Sequence, residues 1–257
     1  MPRVIPKVLD GLRTAKRVWR SRRLRGDAVH CPCCGGSFAR FLDYGEGRRP
    51  NVMCPRCGAV ERHRLLWLFL ERRTELFTRP HRLLQIAPQP AFLERFLRHP
   101  GIDYVFGDLV PSRYLVGKGA RVLDVTALDL PDASFDALLC NHVLEHVPDD
   151  ATAMRELRRV LKPGAWAILQ VPLDTSRATT YEDWSIVTPQ DRAAAFGQSD
   201  HVRWYGRDYA DRLRAAGFDV EVVPFGEELD AATRERLRLG DGEDVYFCRR
   251  PAADAPR

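Results

Sequence analysis

The sequence lacks long hydrophobic runs. Its longest, Leu65–Leu70, is far shorter than the roughly 18–20 apolar residues that span a bilayer. The arginine-rich N-terminal residues contain neither an apolar stretch nor a small-residue cleavage site, which excludes a secretory signal peptide. Internal repeats and low-complexity tracts are absent as well. With 45% hydrophobic and 29% charged residues, the 257-residue chain has a globular composition, neither collagen-like nor disordered. We therefore expect a cytoplasmic protein.

Positive charge is concentrated at one end of the chain. Residues 1–26 contain nine Lys or Arg and one acid, Asp10, whereas the remaining residues are mildly acidic. Apolar residues recur at roughly helical spacing between the basic ones, which predicts a basic amphipathic arm. Such an arm would bind an acidic partner or attach the protein peripherally to a membrane. The alternative is a solvated helix that packs its apolar side on the rest of the protein.

Five of the seven cysteines lie within 27 residues. They include two C-x2-C pairs, and each pair is followed by a glycine that lets the backbone turn. In a reducing compartment this spacing favours a tetrahedral zinc over disulfides or unligated core cysteines. Four sulfur ligands leave no open position, so the predicted zinc is structural and residues 27–60 are predicted to form a zinc ribbon. The predicted ligands are Cys31, Cys34, Cys54 and Cys57, with Cys33 as a spare.

The rest of the sequence predicts a parallel α/β domain. A connecting helix is predicted within 61–81, and short apolar runs then alternate with helical patterns over 82–250. Residues 251–257 are predicted to be a disordered tail. The predicted strands are Leu83–Ile86, Tyr104–Phe106, Arg121–Val125, Phe135–Cys140, Ala165–Val171, Phe218–Val223 and Val245–Cys248. Because ligands bind beyond the carboxyl ends of such strands, functional residues are expected at Ala87–Ala91, Asp108, Asp124–Asp129 and Asn141–His146.

Several motifs follow one another in this region. They are DVTALDLPDASFD from Asp124, CNHVLEHV from Cys140, ELRRVLKPG from Glu156, HVRWY from His201 and LRAAGF from Leu213. Together they resemble class I S-adenosylmethionine-dependent methyltransferases of the type 11 subgroup. The cysteine pairs followed by ERHRLL are similar to a bacterial subgroup in which a zinc ribbon precedes this domain.

The resemblance covers about residues 82–250 and implies both a fold and an activity. The fold is α/β, a Rossmann-like parallel sheet with a final antiparallel edge strand, here preceded by a small zinc ribbon. The activity is that of an enzyme that uses S-adenosyl-L-methionine as its cofactor and transfers the methyl group. We expect the acceptor to be an oxygen or nitrogen atom of a small molecule or a glycan-type metabolite.

The first loop departs from the family pattern D-x-G-x-G-x-G. Its three glycine positions are occupied by Ala87, Gln89 and Ala91, and two prolines alter the path of the loop. This departure leaves open a cofactor-free scaffold or binding protein that retains the fold. Asp108 is expected at the ribose hydroxyls, although either it or Asp124 could instead be a solvated turn residue. The cofactor-binding residues that the resemblance implies are Ala87, Gln89, Asp108, Asp124, Val125, Thr126, Asn141 and His142.

Methyl transfer to oxygen or nitrogen usually needs a base near the acceptor proton. His146, His142 and His201 are the predicted catalytic residues, because an ordinary histidine pKa near 6.5 suits this task. The string His142-Val-Leu-Glu-His146 is also similar to a cluster that holds a divalent metal in some RNA 3′-end methyltransferases. Residues 174–200 form a long insertion that is predicted to be an active-site lid, with a surface loop as the alternative.

A zinc ribbon fused to this fold also occurs in some rRNA-modifying enzymes. The alternative function is therefore RNA methylation, with the ribbon as the RNA-binding element. Three aromatic residues of the ribbon, Phe38, Phe41 and Tyr44, could stack on bases in that case.

Overall fold

The computed structural model describes residues 17–45, 47–240 and 243–252. Most of the predicted basic arm and of the predicted tail lies outside these described residues; residues 17–23 are helical. No helix in the described part of the chain combines the length and the apolar character that a membrane crossing requires. The chain divides into two compact units.

The first, which we call the cysteine-bearing unit, comprises the described residues up to Phe77 together with Gln89–His99 and Pro224–Asp244. Two pairs of antiparallel strands, β1 with β2 and β3 with β4, form two small sheets. The strands are β1 (Arg25–Cys31), β2 (Gly36–Phe38), β3 (Leu42–Tyr44) and β4 (Arg49–Met53). The helices are Glu61–Arg73, Pro90–Arg98 and Ala231–Leu237.

The helix Glu61–Arg73 carries the longest apolar run of the sequence. All of Leu65–Leu70 is buried, as an unbroken run requires. Trp67 lies in an aromatic cluster, with its ring centroid 5.6 Å from that of Phe96. The helix ends earlier than the sequence indicates, because Thr74 adopts an extended conformation and its hydroxyl donates a hydrogen bond to the Leu70 carbonyl.

The second, the sheet unit, comprises Thr78–Pro88, Pro100–Val223 and the described residues from Val245 onward. The strands of its main sheet are β5 (His81–Ile86), β6 (Ile102–Asp108), β7 (Arg121–Val122), β8 (Phe135–Asn141), β9 (Leu161–Gln170), β12 (Asp219–Val223) and β13 (Val245–Arg249). A short pair, β10 (Tyr181–Glu182) and β11 (Arg203–Trp204), stands apart from them. The helices are Arg113–Val116, Asp150–Val160, Pro189–Phe196 and Tyr209–Ala215, with a 3-10 turn at Leu144–His146.

The seven strands of the main sheet lie in the order β12-β13-β9-β8-β5-β6-β7. Strands β9, β8, β5, β6 and β7 are parallel, and β13 is antiparallel to both of its neighbours. The predicted Rossmann-like fold is confirmed. Sequence order runs outward from β5 to β7 and resumes at β8 on the other side of β5, so the switch point of the sheet lies between β5 and β8.

Local sequence explains the central elements. Strand β8 buries all its side chains except Asp136, which is typical of a parallel strand covered on both faces. In the helix Asp150–Val160, the carboxylate of Asp149 accepts a hydrogen bond from the Thr152 amide and so caps the first turn. The buried residues of this helix, which include Met154 and Leu157, recur at helical spacing.

Two details of the predicted sheet are corrected. The final strand β13 does not lie at the edge, because β12 pairs with its outer side and occupies the edge instead. The strand predicted for Arg121–Val125 ends at Val122. The chain turns there because Asp124 accepts hydrogen bonds from the amide and the hydroxyl of Thr126, which closes a local turn in place of strand pairing.

Candidate functional site

The cysteine-bearing unit brings the four predicted ligand sulfurs together. The Sγ atoms of Cys31 and Cys57 are 3.6 Å apart, those of Cys34 and Cys54 are 3.7 Å apart, and all four lie within 4.8 Å of one another. Each pair sits on a tight turn: the amide of Gly35 donates to the Cys31 carbonyl, and the amide of Gly58 donates to the Cys54 carbonyl. Hydrogen bonds with neighbouring cysteines, first of all Cys33, raise the pKa of the Cys31 thiol.

Two buried residues border this cluster. Cys33 lies outside it and donates its S–H to the His63 carbonyl, at 3.4 Å, as expected of a spare cysteine. Arg64 is fully buried and donates hydrogen bonds to four backbone carbonyls, of Val52, Ala59, Leu237 and Arg238. Burial lowers the pKa of Arg64, while the charges of the nearby cysteines oppose this effect.

The aromatic residues considered for RNA stacking are mostly unavailable. Phe38 and Phe41 are buried in the cysteine-bearing unit, and the guanidinium of Arg64 lies over the Phe41 ring. Of these three residues, Tyr44 alone is exposed. The structure therefore provides little of the stacking surface on which the RNA alternative depends.

The sheet unit contains a cavity of about 660 Å3 at the carboxyl ends of its parallel strands. Residues that follow four consecutive strands line it, as expected for this kind of sheet. Those that the sequence predicted are Ala87, Asp108, Asp124, Val125, Thr126, His142 and His146. Further lining comes from residues not predicted, among them Leu109, Val110 and Pro148, and from Asp200, the last residue of the segment predicted to be a lid.

Two residues of the cavity wall have strained backbones. Ala87 has φ +47° and His142 has φ +57°, in the left-handed region that residues other than glycine rarely adopt. Ala87 occupies the first glycine position of the family loop, so the structure retains there the backbone conformation that glycine would supply. Strain of this kind is concentrated at functional sites, where surrounding structure compensates for its cost.

The two acidic residues at the strand ends, Asp108 and Asp124, differ in the hydrogen bonds that their carboxylates accept. The carboxylate of Asp108, at the end of β6, accepts one long hydrogen bond from the described residues, 3.4 Å from the Val110 amide. Asp124 forms the turn with Thr126 described above, and hydrogen bonds from the Thr126 hydroxyl and amide lower the pKa of Asp124. Asp124 is therefore both a turn residue and a cavity residue, whereas Asp108 has oxygen atoms left to accept bonds from a ligand.

Histidines surround a buried carboxylate on the other side of the cavity. Glu145 is buried, and its Oε1 lies 3.7 Å from His142 Nδ1 and 4.0 Å from His146 Nε2. The rings of His146 and His201 meet edge to face, with centroids 4.7 Å apart. Burial lowers the pKa of His201. The neutral ring is the form that this environment favours.

Three predicted site residues do not line the cavity in the described structure. Gln89 is the N-cap of the helix Pro90–Arg98, because the chain turns at Ala87 and starts a helix within three residues. Asn141 is buried at the end of β8, where neither of its amide atoms has a hydrogen-bond partner among the described residues. His201 is buried behind His146.

Sequence reasoning missed one positioning residue, Arg203. It is 1% exposed and donates to the carbonyls of Leu144 and Pro148, both at 2.8 Å, and to the Glu182 carboxylate at 2.6 Å. These bonds fix the segment that carries His146. The one signal available was an arginine placed between the apolar residues of HVRWY.

Comparison with known proteins agrees with this geometry. A family model described as "Methyltransferase domain" matches residues 86–169. These residues, about a third of the chain, are similar to that domain. The ubiquinone biosynthesis O-methyltransferase of Paracidovorax citrulli is 50% identical over 141 residues, which are 52% of this chain and 57% of that protein. The demethylmenaquinone methyltransferase of Geobacillus stearothermophilus is 34% identical over 115 residues, 38% of this chain and 48% of that protein. The chain thus spans about half the length of these relatives.

Solved structures share the fold. An S-adenosylmethionine-dependent methyltransferase from Mesorhizobium loti matches 72% of this chain and 98% of its own, with 20% identity and a TM-score of 0.51. The [4+2]-cyclase SpnF matches 96% of both chains, again with 20% identity and a TM-score of 0.51. The fold of this chain is therefore shared with a known S-adenosylmethionine-dependent methyltransferase.

Proposed function

We propose that the protein transfers a methyl group from S-adenosylmethionine to an oxygen or nitrogen atom of a small-molecule acceptor. The observation that carries the proposal is the cavity at the switch point of the sheet. Groups suited to the cofactor line one side of it, Ala87, Asp108 and Thr126, and two histidines line the other. A volume of about 660 Å3 lies within the range usual for small-molecule sites.

Residues at the ends of β5 and β6 provide the groups that would bind the cofactor. The Asp108 carboxylate accepts hydrogen bonds from ribose hydroxyls, as an acid at this position does in dinucleotide folds. Leu109 and Val110 expose apolar side chains at 59% and 81% and offer a surface for the adenine ring. The left-handed Ala87 lets the backbone approach the cofactor closely, which is the role of glycine at this position.

The acceptor side holds the groups that move a proton. Bound S-adenosylmethionine supplies an electrophilic methyl group, which an acceptor lone pair attacks as the bond from carbon to sulfur breaks. The rings of His142 and His146 line the cavity and take the proton that the acceptor loses. Asp200 helps to orient His146, because its backbone carbonyl lies 3.3 Å from His146 Nδ1.

Transfer of a labelled methyl group from S-adenosylmethionine tests this proposal. Phenols and hydroquinones are the first acceptors to offer, because the names of the two relatives above refer to quinones; glycans, amines and RNA complete the panel. We expect label in a small molecule, and much less of it with the His142→Gln, His146→Gln double variant when both proteins are saturated with cofactor. Label in RNA and in no small molecule would contradict the acceptor class.

We propose a structural zinc ion for the four cysteines. A tetrahedral zinc with Zn–S bonds of about 2.3 Å holds its sulfurs roughly 3.8 Å apart, close to the two shortest separations observed. Cys31, Cys34, Cys54 and Cys57 would fill all four positions of the ion, which gives it no role in methyl transfer. Metal analysis of the purified protein, with about one zinc per chain expected, tests this assignment.

A further inference from the structure

A second group of metal-ligand side chains lies in the sheet unit, on the wall of the cavity. One ligand atom each from Glu145, His146 and His201 lie within 4.8 Å of one another. Glu145 and His201 are 1% and 3% exposed, whereas His146 reaches the cavity. These residues come from two separate segments, the turn after β8 and the approach to β11, which the amide of Val202 joins by donating to the Glu145 carbonyl.

The hydrogen bonds of the two rings leave the same nitrogen of each available. His201 Nδ1 lies 3.0 Å from the Phe196 carbonyl, and His146 Nδ1 lies 3.3 Å from the Asp200 carbonyl. A carbonyl oxygen only accepts hydrogen bonds, so in the neutral rings each Nδ1 carries the proton. The lone pair of each ring is then on Nε2. Histidine ligands of metals are usually held in this way, with one nitrogen bonded to a carbonyl and the other facing the ion.

Two buried side-chain atoms of this group have no hydrogen-bond partner among the described residues. They are Oε2 of Glu145 and Nε2 of His201. Both are acceptors in these protonation states, so they cannot satisfy each other. Buried polar atoms are nearly always paired, and an acceptor-only pair of this kind requires a cation or a donor between them.

We propose that Glu145, His146 and His201 bind a divalent first-row transition-metal ion. Two imidazoles and one carboxylate suit such an ion better than magnesium or calcium, which prefer oxygen ligands. Bonds of about 2.0–2.2 Å require the three atoms to close up by roughly 1 Å from their present separation. The site differs from the cysteine cluster in donor type, since it contains no sulfur.

The three protein ligands leave coordination positions open toward the cavity. An acceptor hydroxyl bound there would lose its proton more easily, because a metal ion lowers the pKa of a bound hydroxyl or water. This consequence rests on the proposed methyl transfer and favours an oxygen acceptor. His142 would then be the base that remains in the cavity, since Nε2 of His146 would be held by the metal. The metal site itself does not depend on catalysis.

Titration of the full chain with Co2+, in the absence of cofactor, tests the site. The protein is first reconstituted with one equivalent of zinc, which the four cysteines take up in preference to nitrogen and oxygen ligands, so the second site is left for Co2+. Optical spectra separate the two clusters, because cobalt bound to cysteine gives an intense sulfur charge-transfer band and cobalt bound to nitrogen and oxygen does not. We expect about one Co2+ per chain to bind without that band. Glu145→Gln and His201→Gln should each weaken this binding at least about tenfold, the usual range for loss of a group that supports a metal.

Two further variants complete the test, a control outside the ligand group and a third ligand substitution. His142→Gln removes a ring that also approaches Glu145 but lies outside the ligand group, so it should leave Co2+ binding unchanged. His146→Gln changes a partly exposed residue and should lower the affinity without unfolding the protein, which circular dichroism checks. Failure of the zinc-loaded protein to bind Co2+, or equal binding by all four variants, would overturn the proposal. Either result could coexist with cofactor binding and methyl transfer, so the two proposals fail separately.

Discussion

The cysteine segment, residues 25–57, and the sheet unit bury very different side chains. Among the described residues of the segment, the buried apolar side chains other than cysteine are Val29, Phe38, Phe41, Val52 and Pro55. The sheet unit buries one continuous cluster that runs through its central strands and the helix Asp150–Val160. Each large side chain in such a cluster contributes about 1.5–3 kcal/mol to folding.

This difference indicates where each region obtains its stability. The segment has a small apolar core, and polar groups stabilise it instead. These groups are the four clustered cysteines and the Arg64 guanidinium, which donates hydrogen bonds to backbone carbonyls. The sheet unit can instead carry strain at Ala87 and His142 and a buried histidine cluster at its ligand edge, because its core is large. We therefore expect metal removal to affect the two regions unequally.

Loss of zinc should have the largest effect. Replacing a ligand, as in Cys54→Ser, should abolish zinc binding and expose the amides of the cysteine segment to hydrogen exchange, because structural zinc contributes about 10 kcal/mol or more in small domains. The amides of β5, β8 and β9 should keep their protection. Cys33→Ser is the matched control and should retain the metal. If the amides of the segment stayed protected from exchange without zinc, the segment would not depend on the metal, and the contrast with the sheet unit would be wrong.

Removing Arg203 should have the next largest effect, within the sheet unit. Arg203→Met leaves the Leu144 and Pro148 carbonyls and the Glu182 carboxylate without their buried donor, which should cost about 3 kcal/mol of unfolding free energy. Urea unfolding measures this loss. Arg214→Met, which breaks an exposed ion pair, should change stability by less than about 1 kcal/mol. Equal losses in both variants would refute the positioning role.

A smaller effect is expected at the cofactor side. Asp108→Ala should weaken S-adenosylhomocysteine binding by about 1–3 kcal/mol, because a hydrogen bond to a charged group is lost. That cost corresponds to a roughly 5- to 150-fold rise in Kd. Asp103→Ala, on the same strand but outside the cavity, should bind normally. An unchanged Kd in the Asp108 variant would show that the ribose lies elsewhere.

The smallest effect concerns the strained loop. Ala87→Gly should raise the unfolding free energy by up to about 1 kcal/mol, because relief of left-handed strain outweighs the added flexibility of the unfolded chain. Ala133→Gly, at the same φ of +47° but outside the cavity, should show a similar gain in thermal unfolding. A loss of stability at Ala87 alone would mean that its methyl group contributes packing that we have not counted.

Local patterns in the sequence predicted the clustering of the four cysteines and the strand ends that line the cavity. Each C-x2-C-G pair is a short-range signal, and the strand ends near Asp108, Asp124 and His142 follow from the alternation of strands and helices. The position of β13 inside the sheet could not be predicted, because it depends on which edge β12 occupies.

Long-range placement accounts for the rest of the differences at the site. His201 meets Glu145 and His146 only because the turn after β8 and the approach to β11 come together, and Arg203 holds that arrangement. Such contacts between residues more than fifty positions apart leave no periodic signal. Gln89 was expected at the cofactor because the family pattern puts a glycine there, yet the chain has already begun a helix at that point.

The central claim is that the cavity binds the cofactor although its first loop contains no glycine. Calorimetric titration of the zinc-loaded chain with S-adenosylhomocysteine tests this most directly. We predict saturable binding of one molecule per chain at micromolar concentrations, with Asp108→Ala weaker and Asp103→Ala unchanged. Absence of binding by a folded, zinc-loaded protein would contradict the account and leave a methyltransferase fold retained as a scaffold.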